Sequence, residues 1–127
     1  MKDAHSILVA EDEGLLALEL QLALKEAGYR VIGPFERVVE GLDALGSEAP
    51  DAALLDVKLR DGEVFPLARR LHEKGVPITF FSGRASEDRL WPRRLRGLPR
   101  MNKPLSPQVL AGAVAAMTAR IPQRAGI

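Results

Sequence analysis

Short apolar runs separated by longer amphipathic stretches set the rhythm of this chain. Residues 7–10 (Ile-Leu-Val-Ala), 52–55 (Ala-Ala-Leu-Leu) and 78–81 (Ile-Thr-Phe-Phe) are too short and too uniformly apolar for a surface helix. They read as strands buried on both faces. A fourth run precedes Lys103-Pro104, and residues 29–33 form another short strand that Gly33-Pro34 is expected to close. Between the strands the spacing becomes helical. Residues 15–27 are rich in strong helix formers and stop at Gly28; 38–48 carry Val38, Leu42 and Leu45, with Gly41 and Gly46 weakening the helix. Residues 64–74 place Leu67, Ala68 and Leu71 inward after an Asp61-Gly62 turn, and Gly75 ends that helix. Ser106 is a fitting N-cap for a last helix through Arg120, with Pro107 at its first position. Strands alternating with helices imply βαβ units, hence a parallel sheet covered on both faces.

One segment breaks the alternation. Between Gly83 and Arg100, Pro92 and Pro99 interrupt any long helix, and Arg84, Arg89, Arg93, Arg94, Arg96 and Arg100 leave no clear apolar stripe. A loop with at most a turn or two of helix is expected there.

Composition narrows the field without deciding it. At 127 residues the chain suits one domain with a substantial core. With no cysteine, disulfides, thiolate metal sites and cysteine nucleophiles are excluded, and a net charge of +1 gives no global pull toward nucleic acid or membrane. No apolar run approaches the roughly 20 residues a membrane helix requires, and no signal-peptide core follows Met1. A soluble cytoplasmic protein is the default, with a domain over residues 1–121, a flexible tail over 122–127 and no output domain. His5 is expected to be an exposed terminal residue without a role.

The chemistry lies just past the strand ends. Glu11-Asp12, Asp56, Ser82 and Lys103 each follow an apolar run, and open parallel sheets bind ligands at that edge. Glu11, Asp12 and Asp56 supply oxygen donors for magnesium, which prefers oxygen and usually keeps several waters. A carboxylate can also attack phosphorus to give an aspartyl-phosphate, and Asp56 stands alone on its strand end. The Ser82 hydroxyl and the Lys103 ammonium are suitable donors to phosphoryl oxygens. Each residue alone has an ordinary structural explanation; their convergence is what points to phosphoryl chemistry.

Residues 7–13 (Ile-Leu-Val-Ala-Glu-Asp-Glu), 54–62 (Leu-Leu-Asp-Val-Lys-Leu-Arg-Asp-Gly), 80–83 (Phe-Phe-Ser-Gly) and Lys103-Pro104 together resemble the receiver domain of two-component response regulators. The resemblance covers nearly the whole chain. It implies a flavodoxin-like, doubly wound five-stranded sheet in the order 2-1-3-4-5, with a short or disordered fourth helix. It implies Asp56 as phosphoacceptor from a sensor histidine kinase or phosphotransfer protein, with magnesium held by Glu11, Asp12, Asp56 and the Lys58 carbonyl. It further implies Ser82 and Lys103 as phosphoryl contacts and a cis bond before Pro104. An unidentified downstream protein would receive the signal, or the domain would act as a phosphate sink; no direct nucleic-acid or membrane contact is expected. The domain would self-phosphorylate and self-dephosphorylate rather than act as an enzyme on other substrates.

Two positions depart from the common pattern. Arg100 stands where receivers usually carry an aromatic three residues before the lysine, and the fourth helix is broken. Both departures resemble a receiver subgroup with a Pro-x-x-Phe-x-Thr/Ser-Gly signature, matched by residues 77–83. Phosphorylation is then expected to reorder residues 83–100, and Lys58 with Arg84 to alter the lifetime of the acyl phosphate. The competing readings are a non-phosphorylated pseudo-receiver scaffold and, less favoured, a metal-dependent phosphohydrolase. Leu15, Leu16, Leu18, Leu20, Leu22 and Leu24 cover more than one side of the first helix; part of that is expected in the core, and the surplus is a candidate for docking a kinase. Val109, Leu110, Ala113, Val114 and Met117 are expected in the core, leaving Gly112, Ala115 and Ala116 as a small-residue surface.

Overall fold

In a computed structural model the chain is described over residues 4–83 and 87–121, with the backbone alone for Asp88. The elements run β1 (Ser6–Ala10), α1 (Gly14–Glu26), β2 (Arg30–Phe35), α2 (Val38–Ala44) and β3 (Ala52–Asp56). A two-residue hairpin follows, β4 (Lys58–Leu59) with β5 (Gly62–Glu63), then α3 (Phe65–Glu73) and β6 (Ile78–Ser82). Two 3-10 turns (Asp88–Leu90 and Arg93–Leu95) lead into β7 (Arg100–Asn102) and α4 (Pro107–Thr118). Five strands form one parallel sheet in the order β2-β1-β3-β6-β7. Counting only that sheet's strands, this is the 2-1-3-4-5 order of a doubly wound flavodoxin-like fold.

The period of two along each strand assigns the residues to two cores. Leu8, Ala10, Leu55 and Phe80 face one side, where Val38 of α2, Leu67 and Leu71 of α3, and Trp91 and Leu95 cover them. Ile7, Val9, Leu54 and Phe81 face the other, under Leu20 and Leu24 of α1 and Leu110, Val114 and Met117 of α4. Because β1 and β3 are buried on both faces, their C-terminal ends are held rigidly. Each buried Leu or Phe contributes about 1.5–3 kcal/mol of transfer free energy. Among the described residues no helix is long and apolar enough to cross a membrane.

Several sequence expectations need correction. Strand β2 does not close at Gly33-Pro34 but continues to Phe35 across a cis peptide and a register shift. Gly33 makes this feasible: its φ is +102°, and a Cβ there would lie 2.7 Å from the Val9 carbonyl oxygen. Helix α2 ends at Ala44 rather than Glu48. Gly41, which weakens the helix locally, is buried and lets Leu67 approach, since a Cβ would stand 2.6 Å from Leu67 Cδ2. The run before Lys103 is not a buried apolar strand but a three-residue edge strand in register with β6 from Phe80↔Arg100 to Ser82↔Asn102.

Among its described residues the arginine-rich segment holds only brief helical turns, yet it carries core residues that its sequence conceals. Trp91 is 3% exposed and Leu95 fully buried. The indole packs edge-on against Phe80 and Phe65, with ring centroids 4.6 and 5.4 Å apart. Val109, placed in the core by its spacing, is instead half exposed. His5 is partly covered and lies 3.5 Å from Asp51 Oδ2, an acceptor that also takes the Ser6 backbone N–H.

Candidate functional site

Strands β1, β3 and β6 end side by side, and each delivers a polar side chain to the same edge of the sheet. Glu11 follows β1; its backbone N–H donates to the Phe35 carbonyl at 2.9 Å, which ties it to the end of β2. Its Oε2 accepts the Glu13 N–H at 3.0 Å. Asp56 is the last residue of β3, and Ser82 is the half-buried last residue of β6. The Ser82 carbonyl accepts the Lys103 N–H at 3.0 Å, which sets the turn after β7, where the Lys103–Pro104 bond is cis.

Lys103 is the centre of the cluster. Its Nζ stands 2.9 Å from Glu11 Oε1 and 3.1 Å from Asp56 Oδ2. Asp12 completes the group: carboxylate oxygens of Glu11, Asp12 and Asp56 lie within 4.8 Å of one another. Burial pushes the Glu11 carboxyl up from its ordinary 4.5 to about 7; the Glu13 amide and Lys103 pull it down, while the nearby Asp56 charge raises it further. Burial also opposes the charge on Lys103, but hydrogen bonds and attraction from Glu11 and Asp56 outweigh it, and its pKa is raised. The lysine therefore stays an ammonium and offsets one negative charge of the Glu11–Asp56 pair. Three hard oxygen donors with one half-buried member, open to water on one side, suit a divalent cation that retains part of its hydration.

The sequence thus identified Glu11, Asp12, Asp56 and Lys103 as one cluster, and Ser82 at the adjoining strand end. Lys58 lies two residues beyond Asp56, exposed at the start of the β4–β5 hairpin. Arg84 falls outside the described residues. Asp61 has a role that sequence reasoning missed. Helix α2 opens on Arg37, which offers no oxygen to its first amides; instead Asp61 accepts the Val38 and Val39 N–H groups at 2.7 and 3.2 Å. A cap supplied from 23 residues away leaves no local signal. Arg100 was singled out, but its partner was not: its guanidinium carbon lies 4.8 Å from the centroid of the Trp91 ring.

Residues 7–115 match the family described as response regulator receiver domain. The chain belongs to that family. As a receiver of two-component response regulators, it is similar to the transcriptional regulatory protein CreB of Escherichia coli K12. The two are 31% identical over 120 residues, covering 92% of this chain and 52% of CreB. The receiver thus spans about half the length of CreB. Among solved structures it resembles SdrG from Sphingomonas melonis Fr1, with a TM-score of 0.74 at 31% identity over 92% of this chain and 98% of that one. The receiver domain of the sensor histidine kinase PA1611 from Pseudomonas aeruginosa PAO1 shares the fold, with a TM-score of 0.77 at 19% identity over 92% and 99% of the two chains. That structure holds a magnesium ion coordinated in its active-site cleft.

Proposed function

We propose that Asp56 accepts a phosphoryl group from the phosphohistidine of a sensor kinase or phosphotransfer protein. The phosphorylated domain then signals in the cytoplasm through a protein partner, or drains phosphate from the kinase. The observation that carries this reading is the convergence on Asp56: Lys103 Nζ lies 3.1 Å from its Oδ2 while Glu11 and Asp12 join the same carboxylate cluster.

An Asp56 oxygen attacks the phosphorus of the phosphoimidazole. The O–P bond forms as the N–P bond breaks, and the imidazole nitrogen leaves with the electron pair. The Asp56 side chain is only 9% exposed, so the donor reaches it from the strand-end side alone. Lys103, on a flexible stem, transfers its ammonium from the carboxylate pair to a new phosphoryl oxygen. The Ser82 hydroxyl donates to a second. Glu11, Asp12 and Asp56 would hold magnesium, with the Lys58 carbonyl as the family likeness suggests. When bound, the ion supplies neutralisation of charge on the phosphoryl oxygens. Attack of water on the acyl phosphate later returns Asp56 and inorganic phosphate.

The test is incubation with acetyl phosphate or phosphoramidate and magnesium, followed by intact-mass measurement. One added phosphate is expected, and Asp56→Asn should lose it. No adduct on the wild type with either donor overturns the reading in favour of a scaffold. Repeated turnover of unrelated phosphate esters would point to a hydrolase.

A further inference from the structure

The described part of the crossover from β6 to β7 carries two 3-10 turns and no longer helix. This leaves an open basin of about 770 Å³ bounded by α2, the β4–β5 hairpin, the start of α3 and the first of those turns. Phe65, Leu90 and Trp91 contribute apolar lining, and Val39, 52% exposed, adds an aliphatic edge. Arg69 and Arg89 stand on one side; Asp61 and Glu63 stand on the other.

The arginines here divide into two groups. Arg96 and Arg100 are built into the segment: Arg96 Nε donates to the Trp91 carbonyl at 3.1 Å, and Arg100 Nη2 donates to the Arg96 carbonyl at 3.1 Å while covering the indole. Arg69 and Arg70 on α3 and Arg89, Arg93 and Arg94 on the turns are exposed, and none has an ion pair or hydrogen bond with a described residue. Like charges gathered without a paired carboxylate among the described residues repel one another and project a positive field over their side of the basin. Beside an apolar basin, that field attracts a partner carrying both carboxylates and aliphatic groups. Arginine around an apolar centre is also characteristic of binding surfaces.

We propose that this face docks an acidic, amphipathic polypeptide segment, its carboxylates against Arg69 and Arg89 and its aliphatic side chains in the basin. Nucleic acid fits less well. Trp91, the aromatic of the segment, is 3% exposed and cannot stack on a base, while the apolar lining suits aliphatic side chains rather than a sugar-phosphate backbone. The surface does not depend on Asp56 chemistry, so the two readings fail separately.

The probes are a labelled helical peptide presenting Glu and Leu on adjoining faces, its Lys-for-Glu counterpart, and a labelled oligothymidylate. Binding is read by fluorescence anisotropy at low and moderate salt against wild type, an Arg69→Ser/Arg89→Ser double variant and Val39→Glu. All three positions are exposed, and circular dichroism and phosphoacceptance serve as controls on the fold. The Glu/Leu peptide is expected to bind, to weaken with salt, and to lose about tenfold in affinity in each variant; the Lys/Leu peptide should not bind. Absence of Glu/Leu binding overturns the proposal. So does binding unchanged in both variants, which would place the peptide elsewhere, as in the apolar groove between Leu16, Leu20 and Leu110. Tighter binding of the oligothymidylate than of the Glu/Leu peptide would overturn it in favour of nucleic acid.

Discussion

Glu11 stores a pH dependence that can be measured without any ligand. The side chain is fully buried, and desolvation raises its carboxyl from 4.5 to about 7 in the folded protein. At about 1.4 kcal/mol per pH unit, ionising it inside the fold costs on the order of 3 kcal/mol relative to ionising it in the unfolded chain. Because the folded value is the higher one, this stability is fully present below pH 4.5, declines as pH rises, and is lost above about 7. Lys103 titrates far above this window, since its pKa is raised from 10.5. Metal-free protein should therefore unfold at progressively lower urea between pH 5 and 7.5. Glu11→Gln, uncharged and nearly the same shape, should flatten that decline and exceed the wild type in stability at pH 8. Magnesium should oppose the trend, because a divalent cation favours the ionised carboxyl. The comparison of slopes removes contributions from other carboxylates. Equal slopes for wild type and Glu11→Gln, in metal-free buffer, would refute the assignment of this proton to Glu11.

Trp91→Ala should cost about 3–5 kcal/mol in urea denaturation, as for other large core truncations. Trp91→Phe should cost clearly less, because it keeps ring contacts with Phe65 and Phe80 and removes an indole N–H that has no hydrogen-bond partner among the described residues. Gly41→Ala gains up to about 1 kcal/mol of helix propensity but drives a methyl toward buried Leu67, where overpacking costs about 1–3 kcal/mol; a lowered Tm is expected. Asp61→Ala should lower Tm and speed exchange of the Val38 and Val39 amides, whose hydrogen bonds hold the Asp61 carboxyl below its ordinary range. Since that folded value is depressed, the stabilisation by Asp61 should fade as pH falls through it.

The sheet and most of the site were legible because their signals are local. Uniformly apolar runs marked β1, β3 and β6, and residues immediately past them must fall at one edge of a parallel sheet. What escaped detection depends on contacts distant in sequence. Asp61 looks like half of a turn dipeptide, and only the packed structure brings it to the α2 amides. Gly33-Pro34 reads as a strand stop, yet a register shift lets the strand continue. Trp91 and Leu95 sit among arginines at no helical or strand period, so no pattern reveals that both are buried. They fill space that a regular helix would otherwise cover, and the aromatic edge contacts supply what periodicity does not.

That substitution bears on how the site communicates with the rest of the fold. Lys103 lies three residues past Arg100, and its backbone N–H is anchored to Ser82 at the end of β6. Arg100 pairs in register with Phe80, Trp91 packs on the same Phe80 at 4.6 Å, and the Arg100 guanidinium lies over the indole. Strand, guanidinium and indole thus form one packed unit adjoining the lysine. Interiors this dense shift between discrete packings rather than deform smoothly. A displacement of Lys103 that moves β7 would strain the contact between Arg100 and the Trp91 ring. Trp91 also lines the arginine-rimmed basin, so a shift of the ring would alter that surface. In this receiver a cation on an aromatic face packs between the strand that leads to Lys103 and the 3-10 segment.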